Sequence, residues 1–150
     1  FFTCAHYSES VIAGNKVFTA IDTDGFLFAI ISSSMFITWQ KAVGGRLKSD
    51  LNFSNKIVWN TLPLPEVSDK QRAAIIAAGQ GVLDVRAEQP GASLADMYNP
   101  LAMAPNLLKA HRVLDRAVDR AFGAKKTLET NEERLALLFK RYQEMTATEN

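Results

Sequence analysis

A chain of 150 residues that is 47% apolar and 22% charged carries enough core-forming side chains for a folded domain, which excludes a disordered or fibrous class. Its net charge of +1 excludes a global electrostatic argument for a polyanionic partner, so any such argument must be local. The single cysteine, Cys4, excludes an internal disulfide and fits a reducing compartment.

The longest apolar stretch, residues 25–31, falls far short of the ~20 residues needed to cross a bilayer. No basic start followed by an apolar run and a small-residue cleavage site is visible. The expectation is a soluble, cytoplasmic protein with no membrane partner. The opening "FFTCAHYSES" has no Met and begins on apolar residues, so the chain reads as the C-terminal piece of something longer.

In chain order, "KVFTAI" (16–21) lies between turn signals at "AGN" (13–15) and "DTDG" (22–25) and is the first strand expected. Residues 26–43 show no clearly polar face, which predicts one mostly buried helix. Its "SSS" (32–34) fits close helix packing better than nucleophilic chemistry. Gly44 and Gly45 end it, since glycine tolerates the left-handed conformation usual just past a helix. A short strand is expected around residues 57–59, and "LPLP" (62–65) is extended because each proline pushes its predecessor out of the helical region.

Ser68 and Gln71 match a capping box, opening a helix to about residue 88 with Ile75, Ile76, Val82 and Leu83 on its apolar face. "QPGAS" (89–93) breaks the chain. A further helix starts at Pro105, a favoured first-turn residue. It carries Leu107, His111, Leu114, Val118 and Phe122 at helical spacing, and Gly123 stops it. The last helix opens on a Thr130/Glu133 capping box and bears Leu135, Leu138, Phe139, Tyr142 and Met145. The connector of about seven residues suits antiparallel neighbours. These two helices are therefore expected to pack on each other.

No complete active site is visible. The two histidines, His6 and His111, are far apart, and His111 reads as a packed core residue. "CAH" (4–6) lacks partners for a metal site, so no metal is expected. No glycine-rich dinucleotide or Walker loop and no nucleophile elbow is present. Two basic features remain. Lys109, Arg112, Arg116 and Arg120 form one stripe on a helix. Asp115 and Asp119 sit one turn from Arg112 and Arg116, so a solvated or internally paired face is preferred there over a nucleic-acid surface.

The other feature is the segment 42–65. Over residues 40–56, Lys41, Arg46, Lys48 and Lys56 stand against Asp50, a local charge of +3. Gly44 and Gly45 let backbone approach a ligand closely. Asn52 and Asn55 can pair with base edges or phosphates, and Arg46 can make the bidentate contact that guanine favours. A plain connector also predicts turn residues, so the chemistry alone leaves connector and nucleic-acid loop both open.

"FAIISSSMFITWQKAVGGRLKSDLNFSNKIVWNTLPLPEVSDKQ" (28–71) resembles the end of the target-recognition domain of adenine-N6 DNA methyltransferases of the MmeI-like (type IIL) restriction-modification family. "SLADMYNPLAMAPNLLKAHRVLDRAVDRAFGA" (93–124) and "ETNEERLALLFKRYQEMT" (129–146) resemble the small helical domain that closes those proteins. The resemblance implies an α+β, predominantly helical chain: the C-terminal part of a DNA target-recognition domain over residues 1–66, then a C-terminal helical domain over 67–150.

It also implies double-stranded DNA as the partner, met through Lys41, Gly44, Gly45, Arg46, Lys48, Asn52, Asn55 and Lys56. S-adenosylmethionine would be the cofactor of the parent protein, bound with an upstream methyltransferase domain and not by this piece. The family's adenine-holding Asn/Asp-Pro-Pro-Tyr/Phe motif is missing, because "NPL" (99–101) lacks the second proline and the ring. The chain alone is therefore not expected to be an enzyme. Two alternatives stand beside this reading: a stand-alone specificity or interaction subunit, and a purely structural helical module.

Overall fold

The structure, a computed structural model, describes residues 1, 3–15, 17–47 and 50–147. Among them six α-helices dominate: α1 (Phe26–Ser32), α2 (Ser34–Val43), α3 (Asp69–Ala87), α4 (Leu94–Met97), α5 (Pro105–Ala121) and α6 (Asn131–Ala147). Between α2 and α3 lie an antiparallel hairpin, β1 (Gly45–Leu47) with β2 (Asp50–Asn52), and a π-helical turn (Asn55–Trp59). The chain is thus α+β and predominantly helical, as expected.

Residues 26–43 form two helices, not one, bent by 61° at Ser33. Ser33 is extended (φ −81°, ψ 158°). Its hydroxyl donates to Ile30 O at 2.6 Å and accepts from Phe36 N at 3.3 Å, closing α1 and capping α2. Helix α5 completes the cap: Asp115 Oδ1 accepts from Ser34 N and Oδ2 from Ser34 Oγ, both at 2.7 Å. The serine run is a helix stop and restart. Upstream, the Asp22 carboxylate accepts from Gly25 N, Leu27 N and Phe28 N at 3.1, 3.2 and 2.7 Å, starting α1.

Burial of α1 and α2 follows the sequence pattern: Phe28, Ala29, Ile30, Met35, Phe36 and Trp39 all belong to the core. No single helix among the described residues is long and apolar enough to cross a membrane.

The same cluster contains Ile75 and Val82 of α3, Leu107, Leu114 and Val118 of α5, and Leu138 of α6. Helix α5 packs chiefly on α3. Asn106 Nδ2, at the start of α5, donates to Glu88, the C-cap of α3, at 2.9 Å, so the two run antiparallel. Helix α1 also lies on α3, so closely that a Cβ at Gly79 would sit 2.7 Å from Ala29 Cβ.

The α6 helix packs on α2, and the expected direct packing of α5 on α6 is not the arrangement. The reason is Trp39. Its ring offers α6 an aromatic surface, with Phe139 at 5.6 Å and Tyr142 at 5.8 Å between ring centroids. Helices α5 and α6 share a buried Asp119–Arg134 ion pair at 2.8 Å.

Helix ends follow the expected chemistry. Ser68 and Gln71 form a reciprocal capping box, Thr130 Oγ1 and the Glu133 carboxylate exchange bonds in the same way, and Gly123 has φ 103° just past α5.

Two expected strands are not strands. The proposed strand over 16–21 begins at Lys16, which lies outside the described residues, and residues 17–21 are not in a sheet. Among the described residues they have no ladder partner, and Val17, Phe18 and Ile21 are exposed; β-prone side chains do not make a strand alone. Residues 57–59 belong to the π-helical turn, in which Asn60 N donates to Asn55 O at 2.9 Å.

Among the described residues, five polar pairs fasten the chain before position 67 to the chain after it. Besides Ser34–Asp115, Arg72 pairs with Asp24 at 2.8 Å and Arg86 Nη1 donates to Cys4 O at 2.8 Å. Thr38 Oγ1 donates to Asn131 Oδ1 at 3.2 Å, and Arg141 Nε to Pro63 O at 3.3 Å.

Candidate nucleic-acid interface

The hairpin grows directly from the end of α2. Gly44 is extended (φ −73°, ψ 152°) rather than left-handed, so its glycine has a different cause from the one expected. A Cβ there would collide with the side chain and carbonyl of Gln40. Gly45, by contrast, faces open space. Strand pairing is Gly45 with Asn52, Arg46 with Leu51 and Leu47 with Asp50. Lys48, the remaining cation expected here, lies outside the described residues.

Two buried side chains of α2 hold this projection in place. Gln40 is fully buried and its Nε2 donates to Asn52 O at 3.2 Å, tying down the end of β2. Trp39 Nε1 donates to Val58 O and Thr61 Oγ1, both at 3.2 Å, which fixes the π-helical turn. Ser54 caps that turn by accepting from Ile57 N at 3.3 Å, and Val58 is its one buried residue. The peptide geometry that an Ile-Val-Trp strand would need is thereby replaced by a tight reversal.

Around this frame the expected site residues are distributed on the outside. Lys41 is exposed on the last turn of α2, Arg46 on β1, Asn52 at the end of β2, and Asn55 and Lys56 at the start of the π-helical turn. Asn55 Oδ1 accepts from Lys56 N at 2.9 Å. Among the described residues, Lys41, Arg46 and Lys56 make no ion pair. The described cations and amides of residues 41–56 are thus exposed.

Sequence reasoning missed the residues that hold the segment. Trp39 and Gln40 read as members of a buried helix face. The available signal was a buried glutamine, which must find a partner.

The second basic feature lies on α5, where Lys109, Arg112, Arg116 and Arg120 are exposed. Asp115 and Asp119 form no ion pair with it: one caps α2 and the other pairs with Arg134. Of the expected solvated or internally paired face, the structure shows the solvated form: the four side chains are exposed and these aspartates do not pair with them.

His111 is a core residue, as expected. Tyr98 accepts from Arg86 Nε at 2.9 Å, and its hydroxyl lies 2.6 Å from His111 Nε2. Arginine can only donate, so the hydroxyl proton goes to Nε2. Burial, assisted by the Arg86 charge, lowers the His111 pKa to about 4. In "NPL", Asn99 Oδ1 accepts from Leu101 N at 3.0 Å in a local turn, and Leu101 is exposed.

Comparisons with known proteins divide the chain in two. Residues 1–66 match the family model of the MmeI target recognition domain, and residues 67–149 that of the MmeI C-terminal domain. The chain is 44% identical over 135 residues to DNA methyltransferase A of Bacillus subtilis (strain 168), covering 90% of this chain and 15% of that protein. A solved structure of the type IIL restriction-modification enzyme MmeI in complex with DNA superposes with a TM-score of 0.79 at 41% identity. That match covers 83% of this chain and 17% of the other, so the chain spans about a sixth of the relatives it matches.

Proposed function

The chain belongs to the MmeI family of restriction-modification proteins, and from that premise we propose that it supplies DNA target contact and the closing helical domain of an adenine-N6 DNA methyltransferase. The observation that carries this reading is the hairpin: a two-stranded ribbon bearing exposed Arg46, seated on buried Gln40 and Trp39 within the segment similar to a target recognition domain.

A two-stranded ribbon fits the major groove of B-DNA, where an arginine fork can take the O6 and N7 of guanine. Lys41, Lys48 and Lys56 flank it as phosphate contacts, and Asn52 and Asn55 present amides to base edges or phosphates. Gly45, open to solvent, allows the ribbon backbone to approach closely. Most such contacts position the protein, and only base-edge contacts specify sequence.

The methyl donor in this reading is S-adenosylmethionine, held by an upstream methyltransferase domain. The residues of this chain do not fit that cofactor. The two strands among the described residues form the hairpin itself, and neither leads through a glycine loop into a helix. The same reading places the whole protein in the cytoplasm.

The test is DNA binding by the full-length protein. Arg46→Ala should cost about 1–3 kcal/mol at one base position and relax specificity there. Replacing Arg46 and Lys48 together should flatten the dependence of log affinity on log salt by roughly 0.9 for each phosphate no longer neutralised. Parallel lines of equal affinity remove the hairpin from the DNA interface.

A further inference from the structure

The α5 stripe gains a meaning from where its neighbouring acids point. Asp115 and Asp119 are its acidic neighbours on α5, and the fold gives both carboxylates other hydrogen-bond partners. Asp115 caps α2 with two bonds of 2.7 Å. Asp119 is buried and takes two bonds from Arg134, at 3.0 and 2.8 Å. Among the described residues, Lys109, Arg112, Arg116 and Arg120 have no ion-pair partner.

Helical geometry arranges these four cations as a track. At about 100° per residue they fall within roughly 80° of one another, and at 1.5 Å per residue they extend ~16 Å. Leu107, Leu114 and Val118, on the opposite side, are fully buried. On one strand of B-DNA that length corresponds to about five phosphates at 3.4 Å of axial rise. The track ends at a cleft of about 200 Å³ lined by Arg116, Arg120, Lys125 and Thr127, with Asp119, paired to Arg134, also on its wall. Lys126 at the same cleft is taken by Glu133 at 2.6 Å.

We propose that the stripe and its end cleft are a second DNA contact, gripping the phosphate backbone of the duplex without reading its sequence. Three of the four cations are guanidinium forks, which match phosphate oxygens in pairs. Strung along one exposed helix face, they suit a run of phosphates, and phosphate contacts position the protein without specifying sequence. The proposal shares with the function above only the partner, duplex DNA, and does not depend on the hairpin.

The experiment uses the full-length protein with Arg112→Gln, Arg116→Gln and Arg120→Gln combined, titrated against cognate and scrambled duplexes across a salt series. The expected result is a slope flatter by roughly 0.9 for each phosphate released from an arginine, so about 2–3 in all. The ratio of cognate to scrambled affinity should not change. Replacing the same three arginines with lysine should restore most of the slope.

Arg46→Ala run in parallel separates the two readings. An unchanged affinity ratio with Arg46→Ala counts against the hairpin alone. Lines parallel to wild type with the triple glutamine variant overturn the stripe. A lowered melting temperature with unchanged slope means that the arginines serve stability and not DNA, which also overturns the proposal.

Discussion

Gly79 and Gly81 lie two residues apart in α3, yet their replacement by alanine should change stability in opposite directions. Alanine is favoured over glycine inside a helix by about 0.8–1.0 kcal/mol, and that gain is common to both positions. At Gly81 nothing lies within 4 Å of the added Cβ, so Gly81→Ala should stabilise by nearly the whole amount. At Gly79 the new Cβ would sit 2.7 Å from Ala29 Cβ and 3.3 Å from Ala29 Cα. Carbon atoms prefer ~3.5–4.0 Å, so α1 would have to move away from α3 by close to 1 Å.

Forcing an extra methyl into a packed contact costs about 1–3 kcal/mol. Gly79→Ala should therefore be neutral to destabilising by up to about 2 kcal/mol. The difference between the two variants, about 1–3 kcal/mol, cancels the helix term and isolates the packing of α1 on α3. Urea unfolding followed by far-ultraviolet circular dichroism gives both values. A double variant with Ala29→Gly should recover part of the loss at Gly79. If Gly79→Ala stabilises as much as Gly81→Ala, the close approach of α1 and α3 is wrong.

Leu138 is fully buried on α6, so Leu138→Ala should cost about 2–5 kcal/mol; a change within ~0.5 kcal/mol in denaturant unfolding would place it on the surface. His111 is neutral in the fold with a pKa of about 4 against 6.5 unfolded, so its contribution is complete above pH 6.5. It is lost as pH falls toward 4, by up to about 3 kcal/mol. Burial raises the Asp119 carboxyl to about 6, which works in the opposite direction over the same range, so the check is the His111 ring itself: titration near 6.5 by nuclear magnetic resonance would contradict this. The chain by itself should show no heat of S-adenosylmethionine binding in calorimetry; micromolar binding would overturn the assignment of that site to an upstream domain.

Helix ends were legible in the sequence because they are local. Ser68 with Gln71, Thr130 with Glu133, Pro105 and Gly123 each carry their reason within a turn of chain. What was hidden depends on partners far away. Ser33 breaks a continuous apolar pattern because Asp115, 81 residues from Ser34, completes the next helix start. Ile57, Val58 and Trp59 have strand propensity, but Trp39 bonds to Val58 O and bends them into a π-helical turn.

The pairing of α6 with α2 was likewise out of reach, since an apolar stripe states that a face is buried and not against what. The exposed residues of the basic segment were found from charge density and glycines. Gln40 and Trp39, which hold that segment, were not, because their role is set by tertiary contacts.

The five fastenings across position 67 have a consequence for grafting. The chain can be cut in sequence between the two matched segments, but the folded object is not divided there. A recognition segment transplanted from a relative would arrive with its own residues at positions 4, 24, 34, 38 and 63. Each must find the acceptor, donor or charge that Arg86, Arg72, Asp115, Asn131 and Arg141 now provide. Ser34 is the most demanding of these, since a graft lacking its hydroxyl leaves a half-buried carboxylate on α5 short of one bond. It also loosens the start of the helix whose other end carries the hairpin. Chimeras that exchange only the chain from about residue 44 to 61 keep Cys4, Asp24, Ser34, Thr38 and Pro63 with the host helices and leave all five junctions intact.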